Sequence, residues 1–320
     1  MRVLVIGGAG YIGSAASRFL WERGYDVTVL DLLLFGGESM VPLLGKPRFK
    51  LIRGDIRDEE TLAQVIPGND AVCLFAAIVG EPACNRDTRA AVETNLVAAR
   101  KVVKVAKDLG VKRFLFASTC SNYGVLDVES VATEESPLQP ISTYSETKVA
   151  AELDVLAAAS QRFHPTVLRF STAFGVSARM RFDLLVSDFT LAAYRDHEVV
   201  IYGEQFWRPF VHVDDIASSV GLVLESDPEL VSGEVFNIGS NAANTKKIEL
   251  GKRVARQVAG TKLEFVRRDT DPRSYRVDFS KVIGRLGFRA KWSVDRGIRE
   301  LHQALSAGVW IDPSDPRYYN

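Results

Sequence analysis

Short apolar runs alternate with amphipathic stretches along the first half of the chain, and this alternation predicts a parallel sheet covered by helices on both faces. Strands are predicted near residues 2–6, 26–31, 48–53, 70–75, 112–117 and 165–170. Positions with helical spacing predict helices near 12–23, 58–66, 88–109 and 144–160. We therefore expect the fold class to be α/β, with a doubly wound parallel sheet.

The pattern changes after about residue 172, where the segments become shorter. Strands are predicted near 199–202, 209–213 and 234–238, and helices near 182–195, 214–226, 246–259 and 294–306. We expect a main domain over residues 1–172 and a smaller C-terminal substrate-binding lobe over 173–320, with segments near 209–238 returning to the main domain. Residues 313–320 are expected to form a loosely held tail.

The first 31 residues have the order of a nucleotide-binding unit: a buried strand, a glycine turn, a helix and a second strand. The apolar run Val3–Ile6 leads into Gly7-Gly8-Ala9-Gly10-Tyr11-Ile12-Gly13, and the second strand ends at Asp31. Such a turn lets backbone N–H groups approach a pyrophosphate, which the N-terminus of the following helix also favours. The residues predicted to contact the dinucleotide here are Gly7, Gly10, Tyr11, Ile12, Gly13, Asp31 and Leu32.

Asp31 favours NAD over NADP as the cofactor. A carboxylate at the end of the second strand accepts hydrogen bonds from the ribose hydroxyls of adenosine but repels a 2′-phosphate. The residues after it, Leu32 to Leu34, offer no basic group to bind such a phosphate. Two alternatives stay open: Asp31 could merely cap a turn, and Arg53, at the end of the third strand, could accommodate NADP.

Composition and charge narrow the function classes. Apolar residues make up 47% of the chain, and 40 basic residues balance 40 acidic ones, so nucleic acid and anionic membranes are not expected partners. The chain enters its first strand at once and has no apolar run as long as a membrane span, which predicts a cytoplasmic protein. Three cysteines without metal-ligand spacing and only four histidines predict no metal site, and Cys73 is expected in the core.

A tyrosine and a lysine four residues apart carry the candidate chemistry. Tyr144 and Lys148 share one face of a predicted helix, so the ammonium can lie near the phenol. A nearby cation stabilises the phenolate and lowers the pKa of the phenol, which makes it a usable acid or base. A polar loop from Ser118 to Gly124 follows an earlier strand, and a hydroxyl there can hydrogen-bond a sugar oxygen while it becomes a carbonyl.

Together these motifs resemble the extended short-chain dehydrogenase/reductase family, over about residues 1 to 306. The matching pieces are Gly7 to Gly13, Gly54-Asp55-Ile56, Phe75-Ala76-Ala77, Asn95, Ser118 to Gly124, Tyr144 to Lys148 and Arg208 to Asp215. The resemblance implies a Rossmann fold whose C-terminal lobe binds a nucleotide-diphosphate sugar, with NAD as the cofactor. It also implies a homodimer, in which the helices near 88–109 and 144–160 form a four-helix interface with surfaces not used in the core.

By position, the resemblance assigns the catalytic residues. Thr119 would polarise the C4 oxygen of the sugar, Tyr144 would be the acid/base, and Lys148 would bind the nicotinamide ribose and lower the pKa of Tyr144. Further cofactor contacts are predicted at Asp55, Ile56, Phe75, Ala76, Ala77 and Asn95, and substrate contacts at Thr119, Cys120, Thr172, Arg181, Arg208 and Arg273.

Simpler structural roles compete for several of these residues. Asp55 could cap the next helix, although Asp58 suits that role better. Arg208 and Arg273 suit a diphosphate, but each could instead be solvated or paired with a nearby carboxylate. His212, inside an apolar strand, is expected to be a structural hydrogen-bond partner rather than a base.

The sequence departs from the family pattern beside Thr119. The 4,6-dehydratase branch places an Asp-Glu pair directly after the threonine, because elimination of water needs its own acid and base. Here those positions are Cys120 and Ser121, which disfavours dehydration. Thr172 and Leu74 replace an asparagine and a histidine that are frequent in the family, so the identity of the sugar stays open.

We therefore expect an NAD-dependent nucleotide-sugar epimerase that acts on C4 of a UDP-hexose or UDP-uronic acid through a transient 4-keto sugar. The alternatives are a nucleotide-sugar reductase, oxidase, decarboxylase or 4,6-dehydratase on the same scaffold, and a non-catalytic NAD(P)-sensing protein.

Overall fold

The computed structural model describes residues 1–127, 130–266 and 273–320. Its strands are β1 (Arg2–Ile6), β2 (Asp26–Asp31), β3 (Phe49–Arg53), β4 (Ala71–Leu74), β5 (Arg113–Thr119), β6 (Val131–Ala132), β7 (His164–Phe170), β8 (Thr172–Phe174), β9 (Glu198–Tyr202), β10 (Trp207–His212), β11 (Glu234–Ile238), β12 (Asn244–Lys246), β13 (Lys262–Val266) and β14 (Arg276–Val277). Its α-helices are α1 (Tyr11–Glu22), α2 (Glu59–Val65), α3 (Glu81–Arg86), α4 (Thr88–Val92), α5 (Ala99–Asp108), α6 (Thr143–Ala157), α7 (Leu185–Asp196), α8 (Val213–Glu225), α9 (Pro228–Val231), α10 (Lys247–Gln257), α11 (Ser280–Leu286) and α12 (Val294–Ser306). Short 3₁₀ turns span Glu38–Leu43, Cys120–Tyr123, Asn241–Ala243 and Pro316–Tyr318.

A parallel sheet with the order β11-β7-β5-β4-β1-β2-β3 forms the centre of the main domain, which confirms the predicted α/β, Rossmann-like fold. The strand order reverses between β1 and β4. The segments that follow these two strands therefore leave in opposite directions and open a crevice at the carboxyl edge of the sheet. The glycine turn after β1 and the Phe75-Ala76-Ala77 segment after β4 both lie at this crevice.

Apolar side chains cover both faces of the sheet, which explains why its strands lack a simple polar alternation. Val3 and Val5 pack on the face covered by α1 and α8, while Leu4 and Ile6 pack on the face of α5 and α6. Cys73 in β4 is fully buried, as expected for a core residue.

The predicted helix near 88–109 forms as three consecutive pieces. Helices α4 and α5 are joined by one π-helical segment, Glu93–Ala98, so the chain runs without a break from Thr88 to Asp108. Asn95 lies in the π segment. Single π turns inside an α-helix are frequent at functional sites.

A separate core holds the smaller lobe together, between α7, α10, α12, β9 and β10. Strand β10 pairs with β8 and β12 in a three-stranded sheet, so this part of the 209–238 region belongs to the lobe. Helix α8 and strand β11 return to the main domain, where α8 packs on α1 and β11 pairs with β7. Strands β8, β12 and β13, each five residues or shorter, were not predicted.

The expectation of a loose tail at residues 313–320 is wrong. The ring of Phe182 meets the rings of Trp310 and Tyr318 edge-on, at centroid distances of 5.1 and 5.7 Å. The amide of Phe182 donates to the carbonyl of Tyr318 at 3.0 Å, and Arg179 donates to Oδ1 of Asn320 at 2.7 Å. Aromatic burial against the lobe holds the segment.

Within the described ranges, no helix is both long enough and apolar enough to cross a lipid bilayer.

Truncation of Phe182 tests this packing. Because the ring is fully buried, we expect Phe182→Ala to lower the free energy of unfolding by about 3–5 kcal/mol. Urea unfolding measures this change, and limited proteolysis should show earlier cleavage after Trp310. Phe265→Ala, at a residue that is 45% exposed, is the matched control. Equal stability of the two variants would contradict the packing described here.

Candidate active site

The glycine turn brings two backbones into direct contact at the crevice. Gly7 has a φ of +81°, and a Cβ at this position would lie 2.4 Å from the backbone nitrogen of Ala76. A Cβ on Gly13 would lie 2.0 Å from the carbonyl oxygen of Gly7. Only glycine fits at either position, so the first turn of α1 can approach a ligand with its backbone exposed.

Asp31 supports this turn from the end of β2. Its Oδ2 accepts a hydrogen bond from the amide of Ala9 at 2.9 Å, and its Oδ1 accepts one from the amide of Leu33 at 2.8 Å. Asp31 thus does cap a turn, as the alternative interpretation held, and it also fixes the glycine turn. Since each carboxylate oxygen has a second lone pair, both remain able to accept from a ribose hydroxyl.

The turn, Asp31 and the start of α1 fit the diphosphate and the adenosine ribose of NAD. Gly10 is the N-cap of α1, and no side chain in the described part of the chain caps that turn. The amides of Tyr11, Ile12 and Gly13 are therefore available to an anion, which the helix dipole also favours. Acidic residues are absent from this first turn, so nothing on the helix repels a phosphate.

Helix α1 also connects the main domain to the lobe. The hydroxyl of Tyr11 donates to the carbonyl of Gly175 at 2.7 Å, and burial raises the pKa of Tyr11. One turn further, Ser14 and Ser177 are hydrogen-bonded through their hydroxyls at 3.1 Å. The side chain of Tyr11 is thus occupied by its hydrogen bond to Gly175, and only the backbone amide of Tyr11 remains available to a cofactor.

The residues predicted to contact the cofactor after β2 and β3 differ in what they can offer. Arg57 binds the Asp55 carboxylate through two nitrogens at 2.6 to 3.0 Å and lowers its pKa. Asp58 is the N-cap of α2, as predicted, because it accepts from the amides of Glu60 and Thr61. Ile56 is buried in the core, whereas the side chain of Leu32 is exposed.

The segment after β4 is fixed by β1 and by the π segment. The amides of Phe75 and Ala76 both donate to the carbonyl of Ile6, and Ala77 follows with its side chain partly exposed. Asn95 accepts from the amide of Ile78 at 2.7 Å and donates to the carbonyl of the same residue at 2.8 Å. Asn95 is buried, so its side chain positions the crevice wall rather than lining it.

Helix α6 carries Tyr144 and Lys148 in its first two turns. It begins with a capping box, in which Ser142 accepts from the amide of Ser145 and Ser145 accepts from the amide of Ser142. The side chain of Lys148 is buried, and its Nζ lies 4.2 Å from the centre of the Phe116 ring. This burial lowers the pKa of Lys148 to about 7, although the nearby Glu152 carboxylate opposes the change.

The expectation that Lys148 lowers the pKa of Tyr144 is not met in the protein alone. Burial raises the pKa of Tyr144 to about 12, and the groups that oppose this are Arg181 and Arg273, not Lys148. The ammonium of Lys148 lies over the Phe116 ring instead. Desolvation thus outweighs the surrounding positive charge, and the Tyr144 phenol is a proton donor at neutral pH.

Thr119 and Cys120, at the end of β5 and the start of the following 3₁₀ turn, make different contacts. Thr119 Oγ1 accepts from the amide of Ser121 at 3.1 Å, which leaves its own proton to donate. The thiol of Cys120 is fully buried and donates to the carbonyl of Arg169, so the structure does not bring this side chain to the site. Ser121 faces the lobe instead, where its hydroxyl lies 3.2 Å from that of Tyr275.

Three arginines from the lobe lie near Tyr144 or Tyr275. Arg181 and Arg273 act electrostatically on Tyr144, while Arg208 is buried and donates to the carbonyls of Trp207 and Arg273. Carboxylates hold the first two: Asp183 binds Arg181 at 2.5 Å, and Glu81 binds Arg273 at 3.4 Å. Thr172 opens β8 and is partly exposed.

Sequence reasoning missed Glu81, Tyr275, Glu152 and Arg169. Glu81 begins α3 and Tyr275 directly precedes β14. Neither residue lies in a recognisable motif, so only the folded structure shows that both are near the site. Glu152 does carry a signal, because it lies four residues after Lys148 and therefore on the same helix face. It forms a buried ion pair with Arg169 of β7.

His212 is a structural residue, as predicted. Its ring is stacked on Trp292 at a centroid distance of 3.9 Å, and its Nε2 lies 3.0 Å from a carboxylate oxygen of Glu300. Its Nδ1 accepts from the amide of Asp214 and so caps α8. Among the described residues, no group of three or more histidine, cysteine or acidic side chains has a metal-binding arrangement.

Comparison with known proteins places the chain among sugar-nucleotide enzymes. The family model of the NAD dependent epimerase/dehydratase family matches residues 3–239. The chain is 31% identical to the low-salt glycan biosynthesis protein Agl12 of Haloferax volcanii, over 93% of this chain and 96% of that protein. It is 30% identical to a UDP-glucose 4-epimerase of Lactobacillus helveticus, over 91% and 92%.

A solved structure shows the same architecture. DesIV, a dTDP-glucose 4,6-dehydratase from Streptomyces venezuelae crystallised with NAD, superposes with a TM-score of 0.85 at 28% identity and covers 97% of this chain and 98% of its own. The chain is thus similar both to an epimerase and to a dehydratase.

A methyl group on Gly7 tests the fit to the dinucleotide. Because the added Cβ would collide with the backbone of Ala76, Gly7→Ala should displace the turn and weaken NAD binding by about tenfold or more. Isothermal titration calorimetry measures the dissociation constant. Gly284→Ala is the control, since a Cβ there meets nothing within 4 Å. Unchanged NAD affinity in a folded Gly7→Ala variant would show that the turn is not the binding site.

Proposed function

The chain belongs to the NAD-dependent epimerase/dehydratase family, and we propose that it is a nucleotide-sugar 4-epimerase acting on a UDP-hexose or UDP-uronic acid. The observation that carries this proposal is the pair of positions after Thr119. Cys120 turns its thiol into the core and Ser121 hydrogen-bonds Tyr275, so neither supplies a carboxyl group for the elimination of water. Thr119, Tyr144 and Lys148, which serve hydride transfer at C4, are all present.

Each residue of the triad has a distinct task in this proposal. Bound NAD would supply reversible hydride transfer at C4 of the sugar. Tyr144 would alternate between phenolate and phenol: the phenolate takes the proton of the C4 hydroxyl as the hydride leaves, and the phenol returns it to the ketone oxygen. The raised pKa of Tyr144 favours the phenol and so suits the second of these steps. Thr119 donates to the C4 oxygen with the proton that its contact to Ser121 leaves free. Lys148 would hold the nicotinamide ribose.

Inversion follows if the 4-keto sugar turns within the site and receives the hydride on its other face. The sugar then leaves as its epimer, and no net oxidation occurs. Retention of the cofactor between turnovers is consistent with the close approach of the Gly7 and Ala76 backbones and with the support that Asp31 gives to the glycine turn.

The arginines of the lobe support a nucleotide-diphosphate sugar as the substrate. A planar guanidinium binds phosphate oxygens in pairs, and a diphosphate offers several. Arg208 donates to the backbone carbonyls of Trp207 and Arg273, and these two hydrogen bonds help to orient its guanidinium group. Arg181 and Arg273 are paired with Asp183 and Glu81, which a diphosphate would have to displace or share.

A substrate screen combined with Tyr144→Phe tests the epimerase proposal. The wild-type protein should convert one of the UDP-, dTDP-, GDP- or CDP-sugars to its 4-epimer, separated by chromatography, without accumulating absorbance at the NADH wavelength. Loss of the phenolic proton should lower turnover by roughly two to four orders of magnitude while NAD still binds. Tyr194→Phe, at a residue 38% exposed on α7, is the control.

Other outcomes of the screen would replace the proposal. A 4-keto-6-deoxy product would identify a dehydratase, and stoichiometric consumption of added cofactor would identify a reductase or oxidase. Unchanged biological activity of Tyr144→Phe with intact NAD binding would identify a sensor.

We also propose a homodimer formed by the continuous helix of residues 88–108, by α6 and by their equivalents in a second copy. Val97 of the π segment and Leu153 of α6 are 49% and 60% exposed, and the Arg100–Asp154 ion pair holds α5 and α6 side by side. Two such pairs could pack as a four-helix bundle that removes the apolar side chains from water.

A charge at Leu153 tests the dimer. The wild-type protein should sediment at twice its 35.3 kDa chain mass at micromolar concentration, and Leu153→Asp should sediment as a monomer because a carboxylate would be buried in the interface. Val41→Asp, at a residue 59% exposed outside these helices, should remain a dimer. A wild-type monomer would refute the interface.

A further inference from the structure

A buried ion pair lies beneath the candidate active site. Glu152 of α6 and Arg169 of β7 are 1% and 5% exposed at their side chains, and Arg169 reaches the carboxylate with two nitrogens at 2.5 and 3.1 Å. Burial of two charges is not in itself stabilising, since the lost hydration can exceed their attraction. A buried pair is therefore explained better by the geometry that it imposes.

The pair joins α6 to the loop of Thr119. The hydroxyl of Ser118 donates to Oε2 of Glu152 at 2.6 Å, and the amide group of Asn122 donates to the hydroxyl of Ser118 at 3.1 Å. Ser118 directly precedes Thr119 in β5, and Asn122 lies in the 3₁₀ turn that follows. The position of Thr119 relative to α6 thus depends on hydrogen bonds that end at one carboxylate.

Arg169 extends the connection across the sheet. It lies beside Ser118 on β5 and beside Asn237 on β11, which are its register partners on the two neighbouring strands. Its Nη1 donates to the hydroxyl of Tyr123 at 2.8 Å, and Tyr123 donates to Oδ1 of Asn237 at 2.7 Å. Three strands and one helix therefore hold the loop from below.

Glu152 also acts on Lys148, one helical turn before it. Burial lowers the pKa of Lys148 to about 7, and the Glu152 carboxylate opposes that change. The other ionisable group acting on Lys148 is Cys84 of α3, while β5 presents the uncharged Phe116 ring. A neutral residue at 152 would thus favour the uncharged amine, because the desolvation of Lys148 would be opposed less.

We propose that Glu152 and Arg169 form a positioning pair, which holds the Thr119 loop against α6 and keeps a fixed negative charge one helical turn from Lys148. This inference rests on the roles proposed above for Thr119, Tyr144 and Lys148. Neither Glu152 nor Arg169 touches substrate or cofactor in it; both act through the residues that do.

The test uses three variants. Glu152→Gln alone leaves the Arg169 charge buried without its partner and can fail to fold, so Glu152→Gln/Arg169→Met removes both charges together. Glu152→Asp keeps the negative charge but shortens the side chain by one methylene group. Asp215→Asn is the control for loss of a buried carboxylate, because Asp215 accepts from the amides of Lys291 and Trp292, far along the chain from α6. Thermal unfolding establishes that each variant is folded.

The first measurement is the titration of Lys148 in the intact protein, followed by NMR of lysine labelled with ¹³C at Cε and assigned with Lys148→Arg. In the double variant the midpoint should fall by about one pH unit, while Asp215→Asn leaves it unchanged. An unchanged midpoint in the double variant would overturn the electrostatic part of the proposal. No substrate is needed, so a negative substrate screen refutes the epimerase function without affecting this result.

The second measurement is the steady-state kinetics of the same proteins. We expect kcat to fall by up to about a hundredfold in the double variant, because the reacting groups are no longer held in the correct relative position. KM should change little, because the arginines proposed to bind the substrate are unchanged. Glu152→Asp should also lower kcat while the Lys148 midpoint stays close to that of the wild type. Wild-type kcat in the folded double variant would show that the pair is only structural.

Discussion

Parallel pairing of the central strands is the constraint on which the site depends. Strands β1, β4, β5 and β7 are neighbours in register, so their carboxyl ends reach one edge of the sheet. Each end then contributes a different part of the site: the glycine turn, the wall that contacts it, the Thr119 loop and the base of the lobe. Because a shift of one residue would turn every side chain to the opposite face, the register fixes what each loop presents.

Desolvation governs the chemistry of the side chains at this edge. Lys148 is buried against an aromatic ring, and its pKa falls to about 7, whereas the pKa of Tyr144 rises to about 12. Both changes favour the uncharged forms, so neither residue is activated merely by standing next to the other. The charges that counteract desolvation come from further away, from Glu152 on the helix and from arginines of the lobe. The reactivity of the pair thus depends on the tertiary structure.

The sequence predicted those features that depend on local pattern. The seven strands of the main sheet and the helix of Tyr144 and Lys148 follow from runs of apolar residues and from helical spacing, and Asp58 was recognisable as an N-cap. Local pattern does not predict three other features. These are the direction of the Cys120 thiol, the ion pair between Asp55 and Arg57, and the packing of the C-terminal tail on Phe182. They depend on which neighbour the folded chain brings near, and side-chain pairing between distant segments leaves no periodic signal.

The contacts from α1 to the lobe limit how the protein can be re-engineered. Tyr11 and Ser14 bind Gly175 and Ser177 through hydrogen bonds that belong to the two domains jointly. A chimera that grafts another lobe onto this sheet at residue 172 would separate these partners, and the phenol of Tyr11 would enter the new boundary without an acceptor. Transplantation of a whole lobe would therefore require α1 to be exchanged with it, whereas redesign of single loops would leave these hydrogen bonds intact.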